Sequence, residues 1–177
     1  MKILYLHGLG SSGESGTAQG LTELGYDVIS PTYRPEFEKA SLDNLVQKES
    51  PDLIIGTSMG GYYALKLAEY KSVNAIAINP CFNPKQQLKL PAINWKTGEL
   101  INFTQEMLEA FAIPEPKRNG KVLVVTGIND DLINPNQQIE YCRQFNLPSL
   151  ITDWGHRVGD IGRLQKIIED FAYRRSK

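Results

Sequence analysis

Histidine and cysteine, from which most catalytic and metal sites are assembled, are scarce in this chain. Only His7 and His156, and only Cys81 and Cys142, occur among 177 residues. No thiols cluster and none sits in a C-x-x-C pair, so a structural zinc site lacks its ligands and no metal is expected. Two isolated cysteines fit free thiols in a reducing compartment better than a disulfide framework. An excess of charge is missing too. The formal net charge is -1, which argues against a nucleic-acid surface, and the basic ending "YRRSK" reads as a solvated helix end. No apolar run reaches the roughly 18 residues of a membrane span, and the opening residues already read as a strand rather than a leader. The expectation is a cytoplasmic protein without membrane or nucleic-acid partners. Its oligomeric state is not readable.

What is present is a regular alternation. "KILYL", "DVISP", "DLIIG", "VNAIAIN", "KVLVVTG" and "PSLIT" are short apolar runs ending at turn or polar residues. Continuous hydrophobicity of this kind marks strands buried on both faces of a parallel sheet. Helical candidates separate most of them: "SGTAQGLTELG", "SLDNLVQKES", "GGYYALKLAEY", "NPNQQIEYCRQF" and "IGRLQKIIEDFAYRR". In the last, Ile161, Leu164, Ile167, Ile168 and Phe171 form one apolar stripe. The expected architecture is one α/β domain over residues 1–177, with about six mostly parallel strands and helices on both faces. The rhythm fails between Pro80 and Arg118, where no strand is expected. A connection this long reads as a lid-like insertion around 80–118, with Phe82, Trp95, Phe103 and Phe111 as candidate lining for a substrate pocket or as plain packing.

The most specific pattern is Gly56-Thr57-Ser58-Met59-Gly60, a G-x-S-x-G between a strand and a helix. That is the context of a nucleophile elbow, a tight strained turn whose flanking glycines relieve crowding around the serine. A serine hydroxyl needs a base to take its proton. His156 follows the last expected strand and fits that role. His7 precedes the serine and reads as a structural neighbour. The acid that orients the base belongs between them. "TGINDDLINP" offers Asp130, selected by a G-x-x-D frame from Gly127, and Asp131, which the spacing to Pro135 favours. Asp130 is preferred and Asp131 kept as the alternative. Asp153 is disfavoured by chain order.

"LHGLGSSG" spells the G-x-G-x-x-G of a dinucleotide site. Such a site wants an acidic residue at the end of the second strand, whereas Asp27 stands at its beginning, so no nucleotide cofactor is expected. The stretch suits a loop presenting a backbone N–H to a developing oxyanion, with Gly8 allowing the backbone turn and the donors being the Leu9 and Met59 N–H groups.

On these residues the chain resembles the α/β-hydrolase superfamily, and in particular the small YqiA-like esterases. The likeness runs through "ILYLHGLGSS", "GTSMGGYYA", "AIAINPCFNP", "TGE" at Thr97–Glu99, "TGINDDLI" and "GHRV". It implies a three-layer fold shortened at its N-terminus, without cofactor, and hydrolysis of a small acyl ester or thioester by Ser58, Asp130 and His156. Gly155 departs from the acidic residue expected before that histidine. The rival expectations are a catalytically silent hydrolase-fold binding protein and, more remotely, a nucleotide-binding oxidoreductase.

Overall fold

Aliphatic runs with alternating directions bury both faces of a sheet only if helices cover each face. That is the arrangement in the computed structural model, which describes residues 1–34, 39–94, 97–116 and 121–173. The strands are β1 (Lys2–Leu6), β2 (Asp27–Ile29), β3 (Leu53–Thr57), β4 (Ala75–Ile78), β5 (Val122–Gly127) and β6 (Ser149–Thr152). They pair in the order β2-β1-β3-β4-β5-β6, every pair parallel. Parallel neighbours cannot be joined by tight turns, so each crossover is long, as the helical stretches require.

The helices are α1 (Gly16–Glu23), α2 (Lys39–Glu49), α3 (Met59–Tyr70), α4 (Pro84–Gln87), α5 (Gln105–Glu109), α6 (Pro135–Gln144) and α7 (Ile161–Tyr173). Alternate residues of β1 serve different layers. Leu4 and Leu6 join Leu42, Tyr63, Leu67 and Tyr141 from α2, α3 and α6. Ile3 and Tyr5 join Leu21 of α1 and Leu164, Ile168 and Phe171 of α7. The apolar stripe of α7 is therefore buried as its spacing implies. The basic ending from residue 174 onward lies outside the described residues.

Burial on both faces holds for the central strands: β3 and β4 are buried throughout. It does not hold at the sheet edge, where Leu150 and Ile151 of β6 are exposed. An edge strand lacks one neighbour, and its apolar run alone does not disclose that.

Among the described residues the connection from Pro80 to Pro116 contains only the short α4 and α5 and one antiparallel bridge, Ile93 with Leu100. Ala92, Phe103 and Leu108 form a small core of its own, against which Leu9 and Phe111 pack. Tyr62 and Tyr141 donate hydroxyl bonds to the Ala112 and Pro114 carbonyls (2.9 and 2.7 Å), tying the connection's exit to α3 and α6. Phe82 stacks on Tyr141. Three of the four aromatics considered for a pocket thus serve as packing. Trp95, like the 117–120 stretch, lies outside the described residues.

Candidate active site

All five loops of interest leave the same, C-terminal edge of the sheet, where open α/β folds bind ligands. At the end of β3 the chain turns sharply into α3. A Cβ on Gly56 would stand 2.1 Å from the Gly60 carbonyl oxygen, and one on Gly60 would stand 1.9 Å from that of Leu6. Only hydrogen fits at both places. Between them Ser58 adopts φ 56°, ψ −119°, a conformation that costs a residue with a side chain about 1–3 kcal/mol. Its backbone is pinned: Ser58 N–H donates to Ile78 O, while its carbonyl accepts from Tyr62 and Cys81 N–H, all at 3.0 Å. Ser58 stands at the N-terminus of α3, where first-turn N–H groups such as that of Met59 have no intrahelical partner and the helix dipole is positive.

The loop after β1 comes to the same point. A Cβ on Gly8 would meet Ser58 Cβ at 3.1 Å and Oγ at 3.6 Å, so Leu9 follows directly beside the serine. The reason for glycine differs from the expected one. Gly8 is needed for close approach, and the left-handed backbone belongs to Gly10 at φ 70°. Gly13 is held against the Ser30 carbonyl, 2.2 Å from where its Cβ would be. The three glycines of the dinucleotide spelling thus do three separate things.

His7 is 1% exposed. Tyr33 N–H donates to its Nε2 (3.3 Å), which leaves Nδ1 as the donor to Gly8 O at 2.8 Å. Tyr33 hydroxyl donates to the His7 carbonyl at 2.7 Å, and the two rings lie 4.4 Å apart. His7 is therefore a brace for the loop. The Leu9 side chain adds a second anchor by packing into the core of the 80–116 connection.

At the ends of β5 and β6, the Asp130 carboxylate lies 3.0 Å from His156 Nδ1 through either oxygen. The Asp130 side chain is fully buried, and that of His156 is 16% exposed. Asp130 Oδ1 also accepts the Leu132 and Ile133 N–H groups at 2.9 Å, and Gln138 Nε2 approaches Oδ2 at 3.5 Å. A buried carboxylate needs such donors. With Nδ1 turned to the carboxylate, His156 carries its proton there and leaves Nε2 as the acceptor. Asp131 is exposed, and Asp153 pairs with Arg163 at the surface.

One side chain escaped the reading of the sequence. Asn79, fully buried after β4 with φ 44°, accepts Gly127 N–H at 2.7 Å. Its Nδ2 donates to the carbonyls of Gly155 (2.8 Å) and His156 (3.0 Å). The only local signal was an Asn-Pro directly behind a strand.

A cleft of about 310 Å³ opens beside this edge, lined by Leu9, Ser11, Tyr33, Arg34, Asn94 and Glu99 among others. A larger one, about 410 Å³, lies between α1 and β2 and includes none of the residues discussed above except Gly13 and Ser30. Among the described residues no cluster suited to a metal occurs, and no helix is long and apolar enough to cross a membrane.

The sheet order and the serine-bearing elbow define an α/β-hydrolase fold, and solved structures agree. Mouse alpha/beta hydrolase domain-containing protein 10 superposes with a TM-score of 0.73 at 16% identity, covering 98% of this chain and 90% of that one. FphF, a fluorophosphonate-binding serine hydrolase of Staphylococcus aureus, does so with 0.58 at 22% identity, covering 97% and 82%. Within this fold class the chain belongs to the family described as uncharacterised protein family UPF0227, whose model matches residues 2–173. A UPF0227 protein of Shewanella woodyi (strain ATCC 51908 / MS32) is 29% identical over 140 residues, 73% of this chain and 75% of that protein.

Proposed function

We propose that this protein is a serine hydrolase that cleaves small acyl esters or thioesters through an acyl-enzyme on Ser58. The observation that carries this reading is the Asp130–His156 pair, 3.0 Å apart, at the sheet edge where Ser58 is raised on its elbow. His156 Nε2 takes the Ser58 proton as Oγ attacks the acyl carbon. The developing oxyanion is held by the Leu9 and Met59 N–H groups; one such donor is worth about 2.7–4 kcal/mol of transition-state stabilisation. His156 then protonates the leaving alcohol or thiol. Water, deprotonated by the same ring, releases the acid and restores Ser58.

The cleft beside Leu9 favours a compact substrate with polar atoms, since Arg34, Asn94 and Glu99 share its wall with Leu9. The 80–116 connection acts as its roof. Two buried free thiols suit a cytoplasmic setting.

A fluorophosphonate probe is the direct test, supported by the description of FphF as fluorophosphonate-binding. The expected result is a single adduct at Ser58, absent in Ser58→Ala. p-Nitrophenyl esters and acyl thioesters of increasing chain length then define the substrate range. Absence of the adduct in folded protein would sink the reading. Ligand binding with ester turnover unchanged by Ser58→Ala would leave a binding protein instead.

A further inference from the structure

We infer that Asn79 is the positioning residue of the acid–base pair, setting where His156 stands relative to Ser58. The inference rests on the hydrolase reading. Its basis is the end of β4, where one short stretch meets both halves of the site. Ile78 O accepts Ser58 N–H, and Cys81 N–H donates to Ser58 O. Between these two, the Asn79 side chain reaches the other way. It accepts from Gly127, which opens the turn to Asp130, and donates to the backbone of Gly155 and His156. The Asn79 N–H itself is held by Val125 O at 2.8 Å. The amide therefore has little freedom to move without moving β4.

Asparagine is suited to this position for two physical reasons. Its side chain offers an acceptor and two donors in one plane, which matches one N–H and two carbonyls. It also tolerates a left-handed backbone better than most residues, as φ 44° demands. The same loop is also anchored by the buried Trp154 ring and by Asn129, whose N–H donates to the Trp154 carbonyl and whose Nδ2 donates to that of Asp153, but these hold its first half, ahead of His156. The Asp130–His156 bond fixes the ring against the acid. It does not fix the distance from the ring to the nucleophile, which depends on where the Gly155–His156 backbone lies. That backbone is what Asn79 holds.

Asn79→Asp is the sharpest substitution. It keeps shape, backbone tolerance and the acceptor to Gly127 N–H, but turns an oxygen toward two carbonyl oxygens. Asn79→Gly keeps the backbone unstrained and removes all three bonds. Ile76→Val, a buried packing change on the same strand, is the control. Measured per folded molecule, both Asn79 variants should lose kcat by roughly a hundredfold, the penalty of a displacement near 1 Å, while KM barely changes. The control should keep its kcat. Fluorophosphonate labelling of Ser58 should slow in parallel. The far-downfield proton signal of His156 Nδ1–H should shift or broaden in both Asn79 variants and stay put in Ile76→Val. In the wild-type protein the Asn79 amide protons should exchange with solvent as slowly as core-strand N–H groups, a reading that needs no variant to fold.

Wild-type kcat in the folded Asn79 variants, or an unchanged His156 signal, overturns the inference, as does rapid exchange of the Asn79 amide. If the wild-type protein neither labels nor turns over esters while the His156 signal still responds to Asn79, the hydrolase reading fails and the positioning stands.

Discussion

The two sides of the site are held by different balances of the same means. Around Ser58 the geometry depends on missing atoms: Gly56 and Gly60 let backbones approach to distances that no Cβ permits, and Gly8 allows a contact that a Cβ would make tight. Around His156 one missing atom matters too, since a Cβ on Gly127 would stand 2.5 Å from the Trp154 carbonyl oxygen, but the geometry there depends mainly on added ones. A buried carboxylate, a carboxamide at Gln138 and another at Asn79 place donors and acceptors between the ends of β4, β5 and β6. Steric exclusion is all-or-none, because backbone oxygens do not yield. Hydrogen bonds are graded, because a lost partner is replaced in part by water or a small shift. Substitutions at the close-approach glycines are therefore expected to fail by unfolding, and substitutions at the hydrogen-bonding side chains by losing rate.

The most severe break leaves both sides standing and removes the proposed chemistry. Ser58→Ala and His156→Ala should each lower kcat by about 10⁶-fold, and the double variant no further, because the residues act as one unit. Active-site titration alongside steady-state assays reads this. Next, Asp130→Asn should cost about 10⁴-fold in kcat by favouring the wrong tautomer. Asp131→Asn, on an exposed side chain, should leave the rate near wild type, and the pair of assays separates the two aspartates. On the steric side, Gly60→Ala should destabilise by about 3 kcal/mol, the upper part of the usual overpacking range. Urea unfolding measures it, and a smaller loss than for Gly8→Ala would contradict the clash distances.

A subtler test compares two inactive proteins. Ser58→Gly should be about 1 kcal/mol more stable than Ser58→Ala, because only glycine relaxes at φ 56°. Thermal unfolding decides this, and equal melting would mean the elbow stores no strain. The smallest effect concerns the thiols. Burial pushes Cys142 from 9.0 up to about 11 and raises Cys81 as well. The native protein should thus react slowly with iodoacetamide at neutral pH. Since the unfolded thiols ionise first, stability should fall as pH rises from about 9 toward 11. Rapid native alkylation would contradict the packing of α6 on the sheet.

Much of this was legible along the chain because its signals are short-range. Strand runs, the α7 stripe and the G-x-S-x-G turn are each carried by a few consecutive residues. The order serine, aspartate, histidine followed from the same reading. The two glycines near His7 were harder to assign, since close approach and left-handed backbone look alike in a sequence. The aromatic residues of the 80–116 connection were also ambiguous. Phe82 and Phe111 were as compatible with a pocket as with the packing they show against Tyr141 and Tyr62.

What the sequence determined by itself was a parallel α/β sheet and a set of candidate side chains on its strand ends, because hydrophobic period and turn chemistry act between near neighbours. Only the tertiary structure decided that Asp130 rather than Asp131 meets His156, and that Asn79 joins loops 48 and 76 residues away. Those bonds form between strands that become adjacent through crossovers. Their partners are chosen by sheet order and burial, which no local stretch of residues contains.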